Sequence, residues 1–241
     1  MTETVPGKLY LVPTPIGNLS DLSPRALEVL TVVDMVACED TRTSGNLLHK
    51  FNLKKRLISY HDFNERSRAL QLVEALLQGQ SVAVVTDAGS PGISDPAYRV
   101  VRAALEHNIE IIPIPGPTAL IPALTASGLP TDRFLFEGFL SHKSSARRRR
   151  LEELVAFEHT IVFYESPHRV HQALSAMQEV FGDRQACLAR EISKKFEQFV
   201  RGRISDILAQ FEGRNVKGEV VLVVAGAAQE KSKRDITEEG E

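Results

Sequence analysis

Apolar, β-branched runs at residues 9–12, 32–37, 82–85 and 109–114 alternate with stretches of helical period in the first half of this chain. Short runs of this kind form buried strands, and strands separated by amphipathic helices assemble into a parallel sheet with helices on its faces. The helical candidates cover 24–30, 41–50, 64–77 and 96–107. In the third, Leu70, Val73, Leu76 and Leu77 recur among Arg, Gln and Glu at helical spacing. The pattern holds to about residue 115. Beyond "PGPTALIPALTASGLP" strands predominate, at 134–139, 160–164, 186–190, 198–203 and 220–224, with helices at 146–157 and 168–180 between them. The sequence thus predicts two α/β domains, 1–116 and 117–228, the second with a mixed sheet. Residues 229–241 are charged and almost free of large apolar side chains, the composition of a disordered tail.

Three of the strands in the first half end in unusual loops: "VPTPIGNLSDLSPRA", "TDAGSPGISDP" and "PIPGPTAL". In an open parallel sheet, ligands bind outside the carboxyl ends of the strands. Proline fixes φ and glycine lets a ligand approach the backbone, so such loops are pre-organised to present N–H and C=O groups to a polar ligand such as a nucleoside. Neither a G-x-x-x-x-G-K-[ST] motif nor a G-x-G-x-x-G after a strand occurs, which argues against ATP or NAD held in the usual ways. Singly, each loop is also a turn with a helix cap. Asp95 before Pro96 fits an N-cap followed by proline at the first helical position, and Thr118 can cap in the same way. Three such loops on one edge point to a ligand site.

Polar clusters fall on the same edge. "CEDTR" places Glu39, Asp40 and Arg42 after the second strand, and "SYHDFNE" adds His61, Asp62, Asn64 and Glu65. Asp40 or Asp62 can cap the next helix while Arg42 pairs with a carboxylate. Together they would line an acidic cleft mouth, and no spacing among them resembles a metal site.

The net charge of −2 exerts no global pull on nucleic acid, so any basic surface is local. The main basic feature is "HKSSARRRRLEEL", where Ser144 or Ser145 can cap a helix that opens with Arg147, Arg148, Arg149 and Arg150. Cations there oppose the helix dipole, a cost that Arg148–Glu152 and Arg149–Glu153 pairs reduce. An anion or phosphate-backbone site is the preferred reading over a solvated helix face. Arg169, Arg190, Lys194 and Lys195 add charge in the same half. Cys38 and Cys187 sit in apolar contexts and read as buried thiols in a reducing compartment. The start "MTETVPGK" lacks the apolar core of a signal peptide, and the most apolar later stretch, 109–124, is broken by four prolines. A cytoplasmic protein with no membrane segment is expected.

Taken in order, "LYLVPTPIGNLSDLSPRALEVL", "ACEDTR", "SYHDFNE", "VTDAGSPGISDP", "PIPGPTALIPALTASGLPTDRFLFEGFL", "FYESPHR", "AREISK" and "KGEVVLVV" closely resemble the small-subunit ribosomal RNA methyltransferase I family, cytidine 2′-O-ribose methyltransferases of the tetrapyrrole methylase superfamily. The resemblance implies a class III methyltransferase fold, two α/β domains with S-adenosyl-L-methionine in a cleft between them. It also implies a homodimer acting on a cytidine of small-subunit (16S) rRNA, within a ribosomal particle. By motif, Pro13, Ala88, Gly89, Ser90, Ile93, Ser94, Thr118 and Ala119 would hold the donor, joined by Tyr164 and Glu165 of "FYESPHR". Related methylases carry G-D-P where this chain has Gly89-Ser90-Pro91. Because a ribose hydroxyl is a poor nucleophile, a positioned base would help, and Asp87, Glu39, Asp40 and His61 are the unranked candidates. Arg147, Arg148, Arg149, Arg150, Arg169, Arg190, Lys194 and Lys195 would contact RNA. The alternatives are a same-fold methylase acting on a porphyrinoid or a protein side chain, and a non-catalytic RNA-binding module.

Overall fold

The computed structural model describes residues 5–214 and 216–229. The tail from residue 230 lies outside the described residues. The chain divides into two compact units, Met1–Thr118 and Ala119–Glu241.

The first unit runs β1 (Leu9–Leu11), α1 (Pro24–Val32), β2 (Met35–Cys38), α2 (Thr41–Lys50), β3 (Arg56–Ser59), α3 (Glu65–Leu77), β4 (Val82–Val84), α4 (Tyr98–Glu106) and β5 (Ile111–Pro113). All its strand pairings are parallel, in the order β3-β2-β4-β1-β5. Successive side chains of a strand point to opposite faces, and this splits the core in two. Leu9, Met35, Ala37, Val82 and Val84 pack with Leu72, Leu76, Val100 and Ala104 of α3 and α4. Val36, Cys38, Ala83 and Val85 pack instead with Leu30 and Leu48 of α1 and α2. Burial on both faces is why β2 and β4 read as continuous apolar runs. Ser23 caps α1 by accepting the Ala26 N–H, with Pro24 at the first helical position.

The second unit runs α5 (Leu120–Ala126), β6 (Phe134–Phe139), α6 (Ser144–Leu154), β7 (Thr160–Glu165), α7 (Val170–Phe181), β8 (Gln185–Arg190), β9 (Gln198–Arg203), α8 (Ile204–Gln210) and β10 (Val220–Val224). Its sheet, β6-β7-β10-β8-β9, is mixed: β6 and β7 are parallel and the remaining pairings antiparallel. Leu151 and Leu154 of α6 and Leu174 and Met177 of α7 close over Ile161, Phe163, Leu188 and Leu222.

Several details depart from the sequence reading. β3, α5 and α8 were not expected. The helix after the second loop begins at Tyr98, with Ala97 at the N-cap and no side-chain cap, so Asp95 is not a cap and Pro96 is not its first residue. Thr118 does not cap α5 either, since Ala119 holds that position without a side-chain bond. Asn64, not Asp62, precedes α3. Both cysteines are free and buried, and no helix among the described residues is long and apolar enough to cross a membrane.

Candidate active site

The loops that follow β1, β4 and β5 are tied to one another at the carboxyl edge of the first sheet. Thr14, which is buried, exchanges two backbone bonds with Gly89: its N–H donates to Gly89 O at 2.9 Å, and the Gly89 N–H returns to Thr14 O at 3.0 Å. Thr14 Oγ1 donates to Thr86 O at 3.0 Å, and Thr86 Oγ1 to Gly89 O at 3.1 Å. Ser90 Oγ donates to Pro117 O at 3.0 Å, linking the second loop to the third. Pro13 packs so closely on Gly116 that a Cβ there would stand 2.8 Å from the Pro13 Cβ. The two threonines are buried polar groups with their hydrogen bonds satisfied, the arrangement that gives a loop one conformation.

This changes the part Gly89 can play. Its φ of +87° belongs to the region that favours glycine, but both of its backbone polar groups are engaged by Thr14. Gly89 therefore locks the loop. The residues open to a ligand lie beside it: exposed Asp87, Ala88 and Ile93 and partly exposed Ser90. Ser94 holds a φ of +62°, unusual for a residue with a side chain. A cavity of about 320 Å3 opens at this edge, lined by Pro15, Gly17, Ser44, Asn46, Thr86 and Asp87 among others. Ser44 there is buried, and its hydroxyl lies against the Cys38 thiol.

The four candidate bases separate on their contacts. Asp40 is the N-cap of α2, accepting the Arg42 N–H at 2.7 Å, and it also pairs with the Arg42 guanidinium at 2.7 Å. Those bonds from Arg42 draw its carboxyl down to about 2, which leaves a weak base already in use. His61 and Asn64 lock each other: Asn64 Oδ1 accepts the His61 N–H at 2.9 Å, and the Asn64 amide donates to His61 Nε2 at 3.1 Å. His61 Nδ1 is buried and has no hydrogen-bond partner among the described residues. Asp87 Oδ1 accepts the Asp40 N–H at 3.2 Å, and burial raises its carboxyl. Glu39 is raised by partial burial first, and then by the charges of Asp87 and Asp62.

Asp95, read from sequence as a helix cap, joins this group. Burial first, then Glu39, Asp87 and Asp62, push its carboxyl up to about 7. The signal in the sequence was the repetition of carboxylates on one edge, after β2, β3 and β4. Among the described residues, no group of three or more His, Cys, Asp or Glu is placed to hold a metal ion.

In the second unit, Tyr164 and Glu165 end β7. Tyr164 packs edge-on against Phe136 and Phe139, at 4.9 and 5.7 Å between ring centres. Glu165 is a buried ion-pair residue: its Oε1 accepts the Ser166 N–H and the Arg169 guanidinium, each at 2.7 Å. Thr118 and Ala119, consecutive across the division of the units, are half-buried.

Most of the expected RNA-binding cations are committed within the fold. Arg147 is buried on the core side of α6 with Leu151 and Leu154, at i, i+4 and i+7, and donates to Ser141 O at 3.4 Å. Arg148 pairs with Glu152 and Glu179. Arg150 forms a fork on Glu137, at 2.6 and 2.8 Å, and takes Glu153, the expected partner of Arg149. Arg169 holds Glu165, Arg190 donates to Gln198 and Lys217, and Lys194 pairs with Glu191 and Glu219. Lys143, not a serine, precedes α6. Of the eight, Arg149 and Lys195 are exposed and have no ion-pair partner among the described residues.

Comparison with known proteins adds a family to this geometry. A sequence profile described as Tetrapyrrole (Corrin/Porphyrin) Methylases matches residues 8–208. A Ribosomal RNA small subunit methyltransferase I from Synechocystis is 52% identical over 225 residues, 93% of this chain and 81% of that protein. The protein of the same name from Vibrio cholerae is 48% identical, with 93% and 80% covered. Among solved structures, a Thermus thermophilus uroporphyrin-III C-methyl transferase complexed with S-adenyl homocysteine superposes with a TM-score of 0.63 at 20% identity, covering 91% of this chain and 97% of that one. At that identity the likeness is one of fold.

Proposed function

The chain belongs to the tetrapyrrole methylase family, on the branch of the small-subunit ribosomal RNA methyltransferase I proteins, and from that premise we propose that it transfers a methyl group from S-adenosyl-L-methionine to the ribose 2′-oxygen of a cytidine in 16S rRNA. The observation that carries the reading is the 52% identity, over 93% of this chain, to a protein of that name. A porphyrinoid or protein-side-chain substrate is the weaker reading, because the Thermus thermophilus uroporphyrin enzyme structures share only 18–22% identity with this chain. A non-catalytic RNA-binding module would have no use for three loops tied together at a sheet edge.

The first unit carries the donor loops in this reading. Pro13, Ala88, Gly89, Ser90, Ile93, Ser94 and Thr118 form or stiffen that surface, and Ala119, Tyr164 and Glu165 are assigned to the donor by family motif. The fit rests on the exposed residues Asp87 and Ala88 and on the cavity at that edge. The donor supplies a methyl group already activated by a positive sulfur. What remains for the chain is to hold the ribose oxygen in line with that carbon, exclude water and take up the hydroxyl proton. Calorimetry with S-adenosyl-L-methionine tests the first half of this reading, and methyl transfer to small ribosomal subunits tests the second. A chain that binds no donor, or that leaves rRNA unmodified, does not have this function.

The RNA backbone would be met by the exposed cations that the fold does not use. Removing Arg149 and Lys195 together is expected to weaken rRNA binding and to lower its log–log salt slope by roughly 1.4–1.8, about 0.7–0.9 per lost contact. Arg150→Ala is expected to act on thermal stability instead, since its partner Glu137 is largely buried. An unchanged salt slope in the double variant would remove these two residues from the interface.

The second unit is proposed as the RNA-facing one, with action on a ribosomal particle in the cytoplasm. We also propose a homodimer. Its support within the structure is the apolar surface of α3 and α4, which pack on each other while Leu70, Tyr98 and Leu105 remain 63%, 71% and 55% exposed. Sedimentation at the mass of a single chain would exclude the dimer.

A further inference from the structure

α6 and α7 pack side by side, and between them opens a groove of about 500 Å3 whose wall includes Ser144, Ser145, Arg147 and Arg148 of α6 and His171 and Glu179 of α7. Because β6 and β7 are parallel, both helices start at the carboxyl edge of these strands, where Tyr164 and Glu165 end β7. α6 begins with no side-chain cap, so the N–H groups of its first turn, at Ser144 and Ser145, have neither an intrahelical acceptor nor a capping oxygen. Such a helix start favours an anion.

Arg147 adds a fixed charge to that field. It is 7% exposed and forms no ion pair among the described residues, and its side chain makes one hydrogen bond, from Nη1 to Ser141 O at a long 3.4 Å. Its Nε is buried with no acceptor. A charged donor left in that state is costly, and a bound anion supplies what it lacks. Glu165, whose charge interacts with Arg147, already binds Arg169 and the Ser166 N–H, so two guanidiniums share one carboxylate. Arg148 and Glu179 offset each other at 3.2 Å. The unbalanced charge in the wall is therefore that of Arg147, and one anion balances it.

Building on the proposed function, we propose that this groove seats one phosphodiester of the rRNA backbone, with the first-turn N–H groups of α6 and the Arg147 guanidinium as its donors. A phosphodiester carries a single negative charge and terminal oxygens that only accept, which matches one unbalanced cation among unused donors. The long bond to Ser141 O is the one that Arg147 gives up in turning to it. Arg149, exposed on the same turn, meets a neighbouring phosphate, so the backbone follows the start of α6.

Ser144→Asp tests the groove without touching the core. Ser144 is exposed, and an acid in the first turn of a helix is favourable, so Tm should hold or rise. Binding to small ribosomal subunits should nevertheless weaken by about tenfold, and its log–log salt slope should fall by roughly 0.7–0.9, the release from one phosphate. The donor dissociation constant measured by calorimetry should stay within twofold. Arg147→Gln should show the same loss, and the double variant should lose no more than either, because both act on one phosphate. If Arg147→Gln fails to fold, the salt slope of Ser144→Asp decides alone. Inorganic phosphate should raise the Tm of the wild type above its value in chloride at equal ionic strength, and should raise that of Ser144→Asp less. An unchanged salt slope in folded Ser144→Asp, or a double variant with twice the loss, would overturn the assignment. If the wild type bound no subunits, the proposed function would fall. The phosphate comparison would still report on the groove, and equal shifts in the two proteins would show that no anion sits there.

Discussion

Gly89→Val is expected to lower the affinity for S-adenosyl-L-methionine by about a hundredfold, or ~2.8 kcal/mol, in a protein that still folds. The sequence suggests that a side chain at this position would block a ligand's approach. The structure gives another cause. A Cβ at residue 89 would meet Ile16 at 3.6 Å, an ordinary contact, so space is not what limits substitution. The φ of +87° is, because a β-branched residue there is strained by at least ~1–2 kcal/mol. Relieving that strain means rotating residue 89 away from Thr14, which loses two backbone bonds of about 1 kcal/mol each and frees the loop that carries Asp87, Ala88 and Ser90. Gly182→Val is the control. Gly182 has a similar φ of +79° and open space around its Cβ, and it lies at the end of α7, in the second unit. It should lose similar stability and keep donor binding. Equal affinities in the two folded variants would show that the loop lock has no bearing on the donor.

Glu165→Ala should cost stability before it costs chemistry. The carboxylate is 2% exposed at its side chain, accepts the Ser166 N–H and holds Arg169, while the charge of buried Arg147 also acts on it. Removing one member of a buried pair leaves the other charge uncompensated, a loss of about 3–5 kcal/mol. For a chain of this size that corresponds to a fall in Tm of roughly 6–20 °C, read in the transition of the second unit. Glu165→Gln should retain the packing and part of the bonding, and so fall in between. If Glu165→Ala melted with the wild type but bound the donor poorly, the family-motif assignment of Glu165 to the donor would stand and its structural role would not.

β10, buried at all five of its positions, was legible in the sequence at Val220–Val224. β6 and β9 were read at Phe134–Phe139 and Gln198–Arg203 although both are edge strands with few buried positions. β3 was not, because its four residues "RLIS" form too short a run to separate from a loop. α8 was missed because it starts on the residue after β9, with no turn signal between them; its mark was Asp206, which accepts the Arg203 N–H across the first turn.

At the site, the loops that gather on the sheet edge could be read from their Gly and Pro content. The stitching by Thr14 and Thr86 could not, since a buried threonine looks like any other until its partners are known. The run Arg147, Arg148, Arg149, Arg150 shows the limit most clearly. Four identical side chains on one turn of helix face four directions, and here Arg147 is buried, Arg148 and Arg150 are paired, and Arg149 is exposed with no ion pair among the described residues. Spacing from Leu151 and Leu154 marked Arg147 as facing the core, whereas the reach of Arg150 to Glu137 depends on the strand β6 packed beside it. Asp95 was obscured by a rule that usually holds, an aspartate before a proline taken for a helix cap. In the fold, burial and the charges of Glu39, Asp87 and Asp62 push its carboxyl up instead.

The account stands or falls on where the methyl group arrives. Small ribosomal subunits incubated with this protein and labelled S-adenosyl-L-methionine, then digested with nuclease and mapped by mass spectrometry, should carry the label on the ribose of a 16S rRNA cytidine. Free cytidine should be turned over poorly, because binding energy from the distant RNA backbone is what orients one ribose at the donor. A label on a base, or free cytidine methylated as fast as the subunit, would contradict the account.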